Sequence, residues 1–133
     1  DIFKTYGEKK FRENEEKIIL DIIKDSKEKG FIMSLGGGAF LNSNIFNAIH
    51  SVGISIWLNA KIDIIEKRIK NSKNQRPLVL KFNTKDKLEK LLIYREKYYK
   101  KAKIKVDVIN TSKENMSKVI LKQLHDYIIF NDD

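Results

Sequence analysis

Phe31-Ile32-Met33-Ser34-Leu35-Gly36-Gly37-Gly38-Ala39 is the stretch that decides the fold class. Its first five residues form a short apolar run that reads as a buried strand, and three glycines follow at once. The chain has six glycines, so half of them sit in this one turn. At the carboxyl end of a strand in an open α/β sheet, such a turn occupies the position where ligands bind. Without Cβ atoms the backbone can approach a ligand closely and offer it amide N–H groups. No lysine or hydroxyl follows at the spacing of a GxxxxGK[ST] phosphate loop, so the turn is not one. A tight strand-to-helix connection is the plain structural alternative.

Outward from this run, helices and strands alternate. Phe11, Ile18, Ile19, Ile22 and Ile23 follow helical spacing between Gly7 and Lys29, and Gly30 is a natural stop. A short helix is expected from Leu41 to His50, and a second strand from Ile54 to Leu58. Asn59 is placed to cap a helix from Ala60 to Asn71. Asn71 to Asn83 is loop-like and holds the single proline, Pro77. Thr84 is placed to start a helix reaching Lys101, and Ile104 to Ile109 reads as a third strand. Thr111 and Glu114 have capping-box spacing before a last helix bearing Met116, Val119, Ile120, Leu124, Tyr127 and Ile128 on one face. The alternation predicts one domain over residues 1–133, an α/β fold with a parallel sheet and helices on both faces. Three strands fall short of the five or so that such sheets usually carry.

Composition narrows the function. The 133 residues carry 27 Lys+Arg against 18 Asp+Glu, a formal net charge of +9. No apolar run approaches the ~18 residues needed to span a bilayer. There is no cysteine, which removes disulfides, thiolate zinc sites and iron–sulfur clusters. His50 and His125 are too far apart to suggest a histidine metal site. A cytoplasmic setting is expected, with neither membrane nor nucleic acid as partner: the lysines are scattered rather than gathered into a stripe interleaved with aromatics.

Of the 27 basic residues only four are arginine: Arg12, Arg68, Arg76 and Arg95. Against 23 lysines, arginine is expected where a planar, permanently charged fork must grip carboxylate or phosphate. Arg95 lies three after Leu92 and four before Tyr99, on the inward face of its helix with Leu88, Leu91 and Tyr98. A guanidinium on such a face must meet an anion or a polar cleft, with a structural salt bridge as the alternative. Arg76 precedes Pro77 in the polar loop, where an arginine can close over transferring phosphates. Arg12 has Glu15 three residues on, either an ordinary helix ion pair or a carboxylate that holds the arginine in place.

Taken together, Gly7-Glu8, Phe11-Arg12 with Glu15, Leu35-Gly36-Gly37-Gly38-Ala39, Arg76-Pro77-Leu78, and Arg95 with Tyr98 and Ala102 resemble the shikimate kinase family, in order and spacing, over nearly the whole chain. The resemblance implies a P-loop metabolite kinase fold, ATP and Mg²⁺ as cofactors, and transfer of the ATP γ-phosphoryl group to the 3-hydroxyl of shikimate. It implies that Arg12 and Arg95 grip the shikimate carboxylate and that Gly37, within Gly36–Gly38, contacts the substrate hydroxyls. Arg76 then resembles the catalytic lid arginine that reaches the phosphates, and Arg68 the arginine near adenine, one residue off the usual offset from Arg76. A substrate-binding part over about 1–60, a lid over about 71–84 and C-terminal elements over 84–130 follow, in a monomer.

The family's phosphate-binding loop and its substrate-holding aspartates precede the equivalent of Asp1. On that ground the chain is expected to be a C-terminal part, missing N-terminal strands and impaired in transfer by itself. Three other readings compete: a different small P-loop kinase, such as a gluconate kinase, a non-catalytic binding module, and a basic nucleic-acid-associated domain. A basic nucleic-acid-associated domain would bind with a steep salt dependence and ignore shikimate.

Overall fold

A computed structural model of the chain describes residues 2–26, 28–71 and 85–131. Helix α1 runs Ile2–Ser26 but is broken at Gly7, whose φ of 85° and ψ of 178° lie outside helical space. That left-handed conformation is one glycine adopts without a steric penalty, and it explains why helical periodicity begins only after this residue. A 3₁₀ turn, Ala39–Leu41, leads into α2, Ser43–Val52. Strand β1 (Ile56–Asn59), helix α3 (Ile62–Lys70), helix α4 (Lys85–Tyr99), strand β2 (Ile104–Asp107) and helix α5 (Lys113–Asn131) complete the order.

The strands pair in parallel, with Ile56 opposite Ile104 and Asn59 opposite Asp107. Among the described residues the sheet has two strands. The expected strand over Phe31–Leu35 is therefore corrected: this segment keeps strand-like alternation but makes no ladder. Met33 and Leu35 pack against the core, while Ile32 is fully exposed at 103%. Apolar side chains alone do not make a strand; the backbone also needs a hydrogen-bonded neighbour.

Ile19 and Ile23 of α1, Ala39 of the 3₁₀ turn and Ile45 of α2 form a buried cluster, joined by Met33, Leu35, Ala48 and Ile49. Full burial of an isoleucine such as Ile45 contributes about 1.5–3 kcal/mol, so this cluster fixes α1 and α2 on either side of the glycine turn. Asn42 caps α2, its side chain accepting from the N–H of Asn44 at 2.8 Å and of Ile45 at 3.1 Å. The Asn44 amide in turn donates to Glu16 of α1 at 2.7 Å. Asp63 and Lys85 tie α3 to α4 with a 2.7 Å exposed ion pair.

Two expected caps fall elsewhere. Asn59 stays in β1, where its amide donates to the Asp107 carboxylate across the ladder at 3.0 Å, and Lys61 begins α3 with no side-chain cap. At α5 the capping oxygen belongs to Ser112, which accepts from the Asn115 N–H at 3.1 Å, while Thr111 accepts from the Asn115 side chain. Thr84 lies outside the described residues.

Candidate functional site

Two helices converge on Gly36–Gly38. From α1 come Arg12 and Glu15, one turn apart and joined by a 2.7 Å ion pair between Nη1 and Oε1. Both are largely shielded, and the Arg12 guanidinium also lies 5.1 Å from the Phe11 ring centre. From α4 come Arg95 and Tyr99, again one turn apart on the half-buried face that also carries Leu88, Leu91 and Leu92. The expected inward placement of Arg95 is what the helix shows.

Each glycine meets a different group. A Cβ on Gly36 would lie 3.2 Å from Glu15 Oε2, and one on Gly38 would lie 2.5–2.7 Å from three atoms of the Arg12 guanidinium. At Gly37 a Cβ would overlap the Arg95 guanidinium and sit 3.3 Å from the Tyr99 hydroxyl. The glycines are therefore a requirement of close approach: side chains from two helices press directly on the backbone. Consecutive Cα atoms are only about 3.8 Å apart, so both guanidinium groups are focused on one short turn.

Hydrogen bonding in the turn is one-sided. The Gly36 carbonyl accepts from the Ala39 N–H at 3.1 Å and the Gly38 carbonyl from the Leu41 N–H at 3.3 Å. The Gly37 carbonyl accepts from the Tyr99 hydroxyl. All three acceptors are occupied, whereas the N–H groups of these glycines have no partner among the described residues. Arg95 likewise has no carboxylate partner among the described residues. Two guanidinium groups, one carboxylate and a row of bare donors leave a net positive site suited to a small oxyanion bearing hydroxyls.

A family model for shikimate kinase matches residues 1–126. The chain belongs to the shikimate kinase family. It is 31% identical over 128 residues to the shikimate kinase of Bartonella henselae, a match covering 96% of this chain and 59% of that protein. To the Rhizobium meliloti shikimate kinase it is 33% identical over 127 residues, covering 96% and 64%. The chain thus spans about three-fifths of the length of these relatives. The crystal structure of Bacteroides thetaiotaomicron shikimate kinase shares its fold, with a TM-score of 0.72 over 96% of this chain and 72% of that one at 21% identity. The Aquifex aeolicus shikimate kinase structure gives 0.66 at 32% identity, covering 93% and 70%. The expected P-loop kinase-like α/β fold, a parallel sheet with helices around it, is the fold of this family member.

Of the residues singled out in the sequence, Arg12, Gly36, Gly37, Gly38 and Arg95 meet at this one place. Arg68 does not: it lies on the exposed side of α3. Arg76 and the lid expected over 71–84 lie, beyond Asn71, outside the described residues. Tyr99 was readable only as an apolar-face residue; its spacing of four from Arg95 was the available signal. Among the described residues no group of three His, Asp or Glu is placed to hold a metal. No helix among them is long and apolar enough to cross a membrane.

A second polar node sits away from the turn. His50 of α2 packs edge-on against Phe46 and Phe40, with ring centres 4.3 and 5.8 Å away, and its Nε2 lies 2.6 Å from Ser55 Oγ. Ser55 Oγ also accepts from the Lys103 N–H at 3.0 Å. Burial, and secondarily the charge of Lys103, holds His50 below its ordinary 6.5. Its role is to join α2 to the start of both strands.

Proposed function

We propose that this chain carries the acceptor-side site of a shikimate kinase, which transfers the ATP γ-phosphoryl group to the 3-hydroxyl of shikimate. In this reading Arg12 and Arg95 grip the shikimate carboxylate, and the Gly36–Gly38 N–H groups hold oxygens of the ring hydroxyls. The observation that carries it is the meeting of Arg12 and Arg95 on adjacent glycines, with Arg95 uncompensated by any described carboxylate. Glu15 orients Arg12, so one guanidinium is aimed before the substrate arrives. Phosphoryl transfer depends on positioning and charge neutralisation, to which such a site contributes by fixing the acceptor. ATP would be met by Arg76, in the catalytic lid role, and by Arg68. Mg²⁺ belongs to the same reading, but the described residues offer it no acidic cluster, and none of them is assigned to it.

Calorimetric titration of the chain with shikimate and with gluconate tests the reading. Saturable 1:1 binding of shikimate is expected, with gluconate at least tenfold weaker. Equal affinity for the two acids, or uptake of neither, removes the proposal.

A further inference from the structure

We infer that Tyr99 is a positioning residue whose hydroxyl sets the peptide plane between Gly37 and Gly38, and thereby aims the Gly38 N–H at the substrate. The inference rests on the function proposed above and adds a group to that site. Its starting point is the unequal fate of the three glycine carbonyls. Those of Gly36 and Gly38 are held by N–H groups three residues on, inside the turn itself. The Gly37 carbonyl has no such local partner. Its partner is the Tyr99 hydroxyl, 62 residues away in sequence.

A peptide plane flanked by glycines rotates with little steric resistance, because no Cβ selects between its two orientations. Across a trans peptide the C=O and the next N–H point in opposite directions. Holding the Gly37 oxygen on the Tyr99 side therefore presents the Gly38 N–H on the other. If the plane turned over, the Gly37 oxygen would face the ligand instead. A donor would become a lone pair opposing a carboxylate or hydroxyl oxygen, beside guanidinium groups and glycine N–H groups that favour acceptors.

Tyr99 is itself fixed. Its ring lies 6.0 Å from that of Trp57 in β1, inclined at 51°. Its own carbonyl accepts from the Ala102 N–H at 3.0 Å, which closes the end of α4. One turn earlier the same helix delivers Arg95 to the same glycine. Helix α4 thus sets the charge at Gly37 and the direction of the neighbouring donor from a single rigid face.

The test compares Tyr99→Phe, which keeps the ring and its contact with Trp57, with Tyr98→Phe on the adjacent tyrosine. Two measurements are made on the chain: the Gly38 amide resonance without ligand, and the shikimate dissociation constant. Tyr99→Phe is expected to move the Gly38 amide resonance, to weaken shikimate about tenfold, and to leave the melting temperature within a few degrees. Tyr98→Phe is expected to change neither readout. An unmoved Gly38 amide in Tyr99→Phe overturns the inference, and so does an unchanged shikimate affinity. Should the unmodified chain take up no shikimate, the proposed function fails, and the amide result in ligand-free protein still decides on Tyr99.

Discussion

The two helices that flank the glycine turn offer it the same functional group in opposite conditions. On the α1 side, Arg12 is neutralised and oriented by Glu15 at 2.7 Å and leans on the Phe11 ring. On the α4 side, Arg95 presses on Gly37 with no carboxylate among the described residues. The difference teaches that the paired cation supplies direction and the unpaired one supplies net attraction. Losing Arg95 should therefore cost a bound acid more than losing any group on the α1 side.

The largest effect is expected from Arg95→Ala, which removes the uncompensated charge. Shikimate affinity should fall at least 100-fold, about 3 kcal/mol, with the fold retained by circular dichroism. Arg95→Lys should recover little, since an ammonium cannot reproduce the fork. If Arg12→Ala proves more damaging than Arg95→Ala, the ranking of the two sides is wrong.

Next come the glycines. Gly37→Ala and Gly38→Ala place a methyl where guanidinium atoms now lie, and those flexible ends can move aside. Each should lower affinity by roughly ten- to fiftyfold while shifting the melting temperature little. Gly36→Ala, at 3.2 Å from Glu15, should do least of the three. Titration of all three variants checks the order.

Glu15→Gln sharpens the comparison from the other side. It keeps the charge of Arg12 but loses its orientation, and a three- to tenfold weakening is expected. A gain in affinity would mean that Glu15 mainly opposes the incoming anion.

The smallest effect concerns stability against pH. The His50 pKa is depressed in the fold by burial and by Lys103, so the unfolded chain binds the proton more readily. The contribution is present above about pH 6.5 and is lost as pH falls through the folded value. The melting temperature should drop modestly from pH 7.5 to 5, and His50→Gln should flatten that slope.

Much of this was legible in the chain itself. Arg95 could be placed on an inward face because Leu88, Leu92 and Tyr99 fix the phase of α4, and helical phase is a local property. The glycine turn could be named because three residues without Cβ in a row have few structural uses. What could not be read was that Phe31–Leu35 makes no ladder, since pairing depends on neighbours distant in sequence. The same applies to Tyr99, whose hydroxyl finds its partner only after folding. Asn59 and Thr111 had the right chemistry for caps, but tertiary contacts gave Asn59 to Asp107 and left Ser112 to cap α5.

The interruption at Gly7 has an electrostatic consequence for the turn. Because the backbone leaves helical space there, the amide dipoles of the segment bearing Arg12 and Glu15 add up from Glu8 onward rather than from the start of α1. The positive pole of that segment therefore lies one turn, about 6 Å along the axis, before Arg12. It reinforces the field of the guanidinium instead of being dispersed at a remote end. A residue that reads as a mere bend thus sets where the positive pole of that segment falls, without adding a side chain.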